Sequence, residues 1–246
     1  MKRPRRGVKK SRPRARARSK AKDARTGQAL TPSSARWLER QRRDRFVTEA
    51  RARGFRSRAA FKLMELDDRF GVLRRRARVV DLGAAPGGWT QVIATATGSK
   101  NRTTGGRVVA IDTQPMDPID GAALLMLDFL DDGAPEAIMA SLGGPADAVL
   151  SDMAPHMTGH AKTDHLRIMA LAEAAFAFAA EVLAPGGVFV AKVLQGGTEQ
   201  DLLAKMKTCF ATVRHAKPPA SRSDSSEIYV VATGFRGNKL MLLPVI

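Results

Sequence analysis

From residue 78 onward the chain alternates short β-branched runs with longer segments of helical periodicity. The runs at 78–82 (RVVDL), 107–112 (RVVAID), 124–128 (LLMLD), 147–152 (DAVLSD), 187–193 (GVFVAKV), 210–216 and 227–233 (EIYVVAT) predict strands. Helices are expected between most of them, at about 88–97, 133–141, 165–183 and 198–208. Strands and helices alternating at this length build a twisted, mostly parallel sheet covered on both faces, an α/β fold. Ahead of the sheet, a helix from Ser33-Ser34 to about Ala52 carries Trp37, Leu38, Phe46 and Val47 on one side and arginines on the other, and Gly54 ends it. A second helix starts after Ser57, a candidate N-cap, and runs through Ala60, Phe61, Leu63, Met64 and Leu66 to about Phe70 before Gly71.

The first 30 residues break the pattern. They carry too little apolar surface to offset the entropy of ordering the chain, so residues 1–30 are expected to be a disordered basic tail, 31–235 the folded body and 236–246 an extension. The formal net charge of the whole chain is +17, and residues 1–26 alone hold 13 basic residues and one acidic one. Such an excess points to a polyanionic partner. In the body, Arg36, Arg40, Arg42, Arg43, Arg45, Arg51, Arg53, Arg56 and Arg58 with Trp37 form a second basic region, read as a phosphate-contacting patch or as a solvated face. The most apolar run, Ala174 to Ala180, lies between Glu173 and Glu181 and is far short of the roughly 20 residues that span a bilayer, so no membrane role is expected. A single cysteine, Cys209, excludes an intramolecular disulfide framework and fits a cytoplasmic protein. His156, His160 and His165 have no accompanying acid pattern and Gly159 interrupts them, so no metal site is expected.

The segment from Val79 to Trp89 (VVDLGAAPGGW) reads as strand, tight glycine turn and helix start, the cofactor crevice of an open α/β sheet. Its glycines are not spaced G-x-G-x-x-G and no G-K-[ST] follows, so neither a dinucleotide cradle nor a P-loop is supported. Asp81 would repel a pyrophosphate and suits a cationic ligand. The next strand ends in Asp112, placed for ribose hydroxyls, and the two after it in Asp128 and Asp152. Four carboxylates along one rim match a nucleoside with a positive centre, such as S-adenosylmethionine, better than they match phosphates.

Lys192 is the anomaly, an ammonium in the middle of a buried strand, FVAKVLQGG. Either it snorkels its charge to the surface or it points into a site that needs an amine. Taken with R-S-R-A-A-F-K-L at 56–63, S-D-M-A-P at 151–155, K-V-L-Q-G at 192–196 and S-E-I-Y-V-V-A-T-G at 226–234, the chain over about 33–235 resembles the FtsJ/RrmJ (RlmE) family of ribosomal RNA 2′-O-methyltransferases. The resemblance implies a Rossmann-like, seven-stranded methyltransferase sheet with its last strand antiparallel. It also implies a catalytic tetrad of Lys62, Asp152, Lys192 and Glu227. S-adenosyl-L-methionine is the implied cofactor, held at Gly83, Gly87, Trp89, Asp112, Asp128 and Asp152 with Asp81 in support. Lys192 is then the general base or the group that stabilises the developing alkoxide, Asp152 steers it, and Lys62 and Glu227 position the 2′-hydroxyl. The implied substrate is a uridine ribose in the A-loop of 23S ribosomal RNA, within the large ribosomal subunit, and the implied enzyme is a monomer. His156, where the family often has asparagine, departs from the pattern. The alternatives left open are tRNA or mRNA-cap 2′-O-methylation, and a noncatalytic RNA-binding assembly factor on the same fold.

Overall fold

Strand order is what positions the site. The computed structural model describes residues 44–155, 158–195, 200–223 and 225–237; the basic tail, the first part of the expected first helix, His156, Gly196 and most of the 236–246 extension lie outside the described residues. Two helices, α1 (Arg45–Ala52) and α2 (Ala59–Phe70), precede the sheet. Then follow β1 (Arg78–Leu82), α3 (Gly88–Thr97), β2 (Arg107–Asp112), β3 (Ala122–Met126), α4 (Ala134–Leu142), β4 (Ala146–Ser151) and α5 (Ala161–Val182). The last elements are β5 (Leu183–Leu194), α6 (Gln200–Cys209), β6 (Phe210–Ala216) and β7 (Glu227–Phe235). The seven strands are ordered β3-β2-β1-β4-β5-β7-β6, with β7 antiparallel to both neighbours and the remaining pairs parallel. After β1 the chain moves outward on one side through β2 and β3, then returns to start β4 on the other side. The crevice between the carboxyl ends of β1 and β4 is where an open α/β sheet binds its ligand. No helix among the described residues is long and apolar enough to cross a membrane.

The period of two along each strand sorts the side chains. Val80, Leu82, Val109, Ile111, Val149, Phe189, Ala191 and Val193 join one core with residues of α4, α5 and α6. Val79, Val108, Ala148, Leu150, Val188, Val190, Tyr229 and Val231 join the other with α2 and α3. By the same alternation Asp81, Asp152, Lys192, Glu227 and Tyr229 fall on the α2/α3 side. The polar site is therefore a continuation of an apolar face to the carboxyl ends of its strands.

Four expectations need correction. β5 begins at Leu183 rather than 187, because Leu183 already pairs with Ala146 ahead of a register shift, after which Ala148↔Val188 continues the ladder. β3 spans Ala122–Met126 rather than 124–128, because pairing with β2 ends at Asp112↔Met126 and Asp128 already lies in a turn, its Oδ1 accepting the Leu130 N–H at 2.9 Å. Ser57 does not cap α2: the N-cap is Arg58, with no side-chain cap bond, and Ser57 Oγ is buried against Gly88 without a partner. Helix α5 begins at Ala161, four residues before the expected 165, because Asp164 in its first turn accepts the N–H groups of Thr158 (2.7 Å) and Gly159 (3.1 Å) and draws the preceding loop onto the helix start.

Candidate active site

A cleft of about 590 Å³ opens at the carboxyl ends of β1, β2 and β4, within the size range of small-molecule sites. Gly83, Asp112, Asp128, Phe129 and Asp152 are among its lining residues, and no lysine or arginine is. Asp112 fixes the cleft's shape, one carboxylate oxygen accepting the Ala85 N–H at 2.8 Å and the other the Gln114 N–H at 2.9 Å, so that it ties the turn after β1 to the loop after β2. Each oxygen keeps a second lone pair for a ligand hydroxyl. Gly83, at φ 77°, lies where a Cβ would come within 2.7 Å of the Met153 backbone, so only glycine lets the loops after β1 and β4 close on one another.

Gly87 and Trp89 are not lining residues. Gly87 caps α3 at φ 108°, and the Trp89 ring is core, packed on Tyr229 at 5.6 Å between centroids with its indole N–H donated to the Ala59 carbonyl at 2.8 Å. The first intrahelical bond of α3 runs from Gln91 N to Gly87 O, so the N–H groups of the buried residues 88–90 make no bond within the helix.

Beside the cleft, four of the expected residues do come together. Lys192 does not snorkel. Its side chain is 5% exposed, its Nζ donates to the Asp152 carbonyl at 2.7 Å and lies 3.1 Å from Asp152 Oδ1. Lys62, reaching down from α2, pairs with Glu227 at 3.4 Å. Sequence reasoning missed the residue that joins the two pairs: Tyr229 donates its hydroxyl to Asp152 Oδ1 at 2.7 Å and accepts from Lys62 Nζ at 3.2 Å. Burial, with the charges of Asp152 and Glu227 adding to it, holds the Tyr229 phenol well above its ordinary value, so it stays a neutral donor. Burial also pushes Asp152 upward, but Lys192, Lys62 and the two hydrogen bonds outweigh it and leave the carboxylate below its ordinary value.

The arginines near Lys62 do not all face outward. Arg56 donates its guanidinium to the carbonyls of Asp117 (2.7 Å) and Pro118 (2.8 Å), Arg58 bonds the Ala220 carbonyl, and Arg53 pairs with Glu49 at 3.3 Å. Arg56 and Arg58 thus bridge to loops distant in sequence, whereas Arg53 forms an exposed pair one turn away in the chain. Among the described residues no group of histidine, cysteine or acidic side chains is gathered to hold a metal.

Residues 55–235 match the sequence pattern described as FtsJ-like methyltransferase. The chain belongs to the FtsJ-like methyltransferase family. Among relatives named "Ribosomal RNA large subunit methyltransferase E", the protein of Gluconobacter oxydans is 55% identical over 225 residues, covering 92% of this chain and 81% of that one. The protein of the same name in Paramagnetospirillum magneticum is 60% identical over 206 residues, covering 84% of each. A solved Plasmodium falciparum chain described as a ribosomal RNA methyltransferase superposes with a TM-score of 0.65 at 28% identity, covering 74% of this chain and all of that one. S-adenosylmethionine is the methyl donor of FtsJ-like methyltransferases, and the cleft suits it. Asp112 and Asp128, with no lysine or arginine among the lining residues, favour a cationic nucleoside, and Phe129 and Leu130 offer a base an apolar wall.

In this FtsJ-like chain Asp81 sits behind the cleft, fully buried, with Oδ2 accepting from Thr90 Oγ1 at 2.6 Å and Oδ1 unpartnered. Burial, opposed by the Thr90 hydrogen bond and reinforced by the charges of Asp152 and Asp112, pushes its carboxyl up to about 7 from 3.8. A raised acid gives the folded state the extra proton. Its contribution to stability is therefore complete below about pH 4 and is lost as the pH rises toward 7. Cofactor-free Asp81→Asn protein should unfold at higher denaturant than wild type at pH 8, the gap closing toward pH 4. Parallel pH profiles for the two proteins would show that Asp81 carries no such penalty.

Proposed function

We propose that this chain is an S-adenosylmethionine-dependent methyltransferase of large-subunit ribosomal RNA that methylates a uridine ribose 2′-hydroxyl in 23S RNA. The observation that carries the reading is a buried amine, Lys192, fixed by Asp152 at the edge of an acid-lined nucleoside cleft. Bound S-adenosylmethionine supplies an electrophilic methyl group on a sulfonium.

The chain's own residues do the rest. Methyl transfer to a hydroxyl is an in-line displacement, so the oxygen must be aligned and its developing charge or its proton taken up. An ammonium has three N–H donors; Lys192 directs two at Asp152, and the third, without a partner among the described residues, can meet the substrate oxygen. Asp152 thus orients the amine from below while lying in the cleft wall. Lys62 and Glu227, linked to the same network through Tyr229, form the outer side, where a ribose would enter. The relatives' shared name, which specifies the large subunit's ribosomal RNA, supports that substrate over tRNA or a cap.

Incubation with methyl-labelled S-adenosylmethionine and large subunits from a strain lacking this modification should place label on a ribose 2′-oxygen of a uridine in 23S RNA. Label confined to bases, or to another RNA, would overturn the reading.

A further inference from the structure

The end of the sheet opposite the active site carries an unused cluster of positive charge. Arg74, Arg75 and Arg76 lie in the turn before β1, Arg78 begins β1, Arg102 lies in the loop before β2 and Arg107 begins β2. All six are exposed, and among the described residues none of their guanidinium groups has a hydrogen bond or an ion pair. The only carboxylate bonded to them in the described residues, Asp147, accepts the backbone N–H of Arg78 at 2.8 Å and leaves its guanidinium free. This contrasts with Arg53, Arg56 and Arg58 near the catalytic end, which are bonded to the protein itself.

The fold gathers these charges where they repel least. In a parallel α/β sheet the amino ends of the strands share an edge with the carboxyl ends of the helices, whose partial negative charge favours cations. Three of the guanidiniums lie over glycines there: a methyl group on Gly98, at the end of α3, would be 3.7 Å from Arg75, one on Gly143, at the end of α4, 3.8 Å from Arg107, and one on Gly144 3.3 Å from Arg78. Arg76 is the only non-glycine among the described residues with a positive φ, 62°. Glycine or asparagine would adopt that backbone at less cost, so the side chain is what an arginine adds there.

Planar guanidiniums with free donor edges match the phosphate groups of a nucleic-acid backbone, which they bind two bonds at a time. We propose that this arginine rim is a second RNA-binding surface, one that grips the phosphate backbone of an RNA segment other than the one presenting the acceptor ribose. β1 separates the rim from the catalytic end by five residues, roughly 15 Å, so the two ends can engage separate RNA elements of one folded particle. The inference rests on the ribosomal reading above and adds a reason for an assembled subunit to bind better than an isolated hairpin.

The test is equilibrium binding of full-length wild type and an Arg75→Glu/Arg102→Glu/Arg107→Glu variant to undermethylated large subunits, to a short hairpin carrying the acceptor site, and to anionic phospholipid vesicles, over a range of salt. Unchanged cofactor affinity certifies the variant's fold. Expected are at least a tenfold weaker affinity for subunits, a salt slope shallower by about three, and unchanged affinity for the hairpin. Equal subunit affinity and salt slope in the two proteins overturn the proposal, as does a loss confined to vesicles. A wild type that binds subunits through the rim but transfers no methyl would sink the proposed function while leaving the rim standing.

Discussion

Lys192→Met should bind S-adenosylmethionine as wild type does and transfer methyl groups about 10²–10⁴-fold more slowly. Methionine fills the same strand position without a charge, and the neighbours on either side, Ala191 and Val193, are fully buried. Binding should survive because the lining residues of the cleft are untouched and Lys192 is not among them. Removing one member of a buried ion pair costs about 3–5 kcal/mol when it strands the other. Here Asp152 keeps the Tyr229 hydroxyl at 2.7 Å and remains 17% exposed, so the loss of stability should fall at or below the low end of that range. The measurement that matters is the split between kcat and cofactor affinity. A purely structural ion pair would lower both through a loosened cleft, whereas an amine acting on the reacting oxygen lowers kcat alone. Lys192→Met protein with the wild-type kcat would end the assignment.

The parts of the molecule that could be read from sequence are those fixed by local pattern. Strands β1, β2 and β6 and helix α3 begin and end where the pattern predicts; Gly83 follows β1, Gly106 precedes β2, and Gly87 and Gly98 bracket α3. β3 slipped by two residues because it is an edge strand, half exposed along its length, and its register comes from β2 rather than from its own alternation. Within the site, Asp112, Asp128, Asp152 and Gly83 line the cleft as the strand-end rule implies. The remaining discrepancies are non-local. In EIYVVAT, Tyr229 looks like one more buried strand residue, and its role appears only when the antiparallel register sets it directly opposite Lys192. A signal did exist: Glu227 and Tyr229 are two apart and so share a face, which places the phenol beside any site that holds the glutamate. Arg56 and Arg58 could not be separated from the charged region around them, because their acceptors, the carbonyls of Asp117, Pro118 and Ala220, are distant in sequence. Asp81 reads as a rim acid, but the strand carries it one residue short of the edge and the Thr90 hydroxyl covers it.

That network makes Asp152→Ala the most damaging single change. Its side chain accepts from Tyr229 and pairs with Lys192, and it also lines the cleft, so its removal strikes the amine, the phenol and the cofactor at once. Lys192 would be left 5% exposed with only the Asp152-position backbone carbonyl as partner, the situation that costs about 3–5 kcal/mol. Tyr229→Phe, by contrast, deletes two hydrogen bonds to charged groups, but Lys62 keeps its pairing with Glu227, so the main loss is the shorter bond to Asp152, about 1.5–3 kcal/mol, and the Lys192–Asp152 ion pair stays whole. Thermal midpoints should therefore fall furthest for Asp152→Ala, less for Tyr229→Phe, and Asp152→Ala alone should also weaken S-adenosylmethionine binding. The pH dependence separates the two further. Because Asp152 is held below its ordinary value of 3.8, its contribution to stability is complete above that pH and is lost as the pH falls through the lower folded value. Wild type and Tyr229→Phe should both show this acid limb in denaturation below pH 4, and Asp152→Ala should lack it. Equal midpoints and identical acid limbs in the two variants would mean that Asp152 is not the hub through which the lysines and the tyrosine are held.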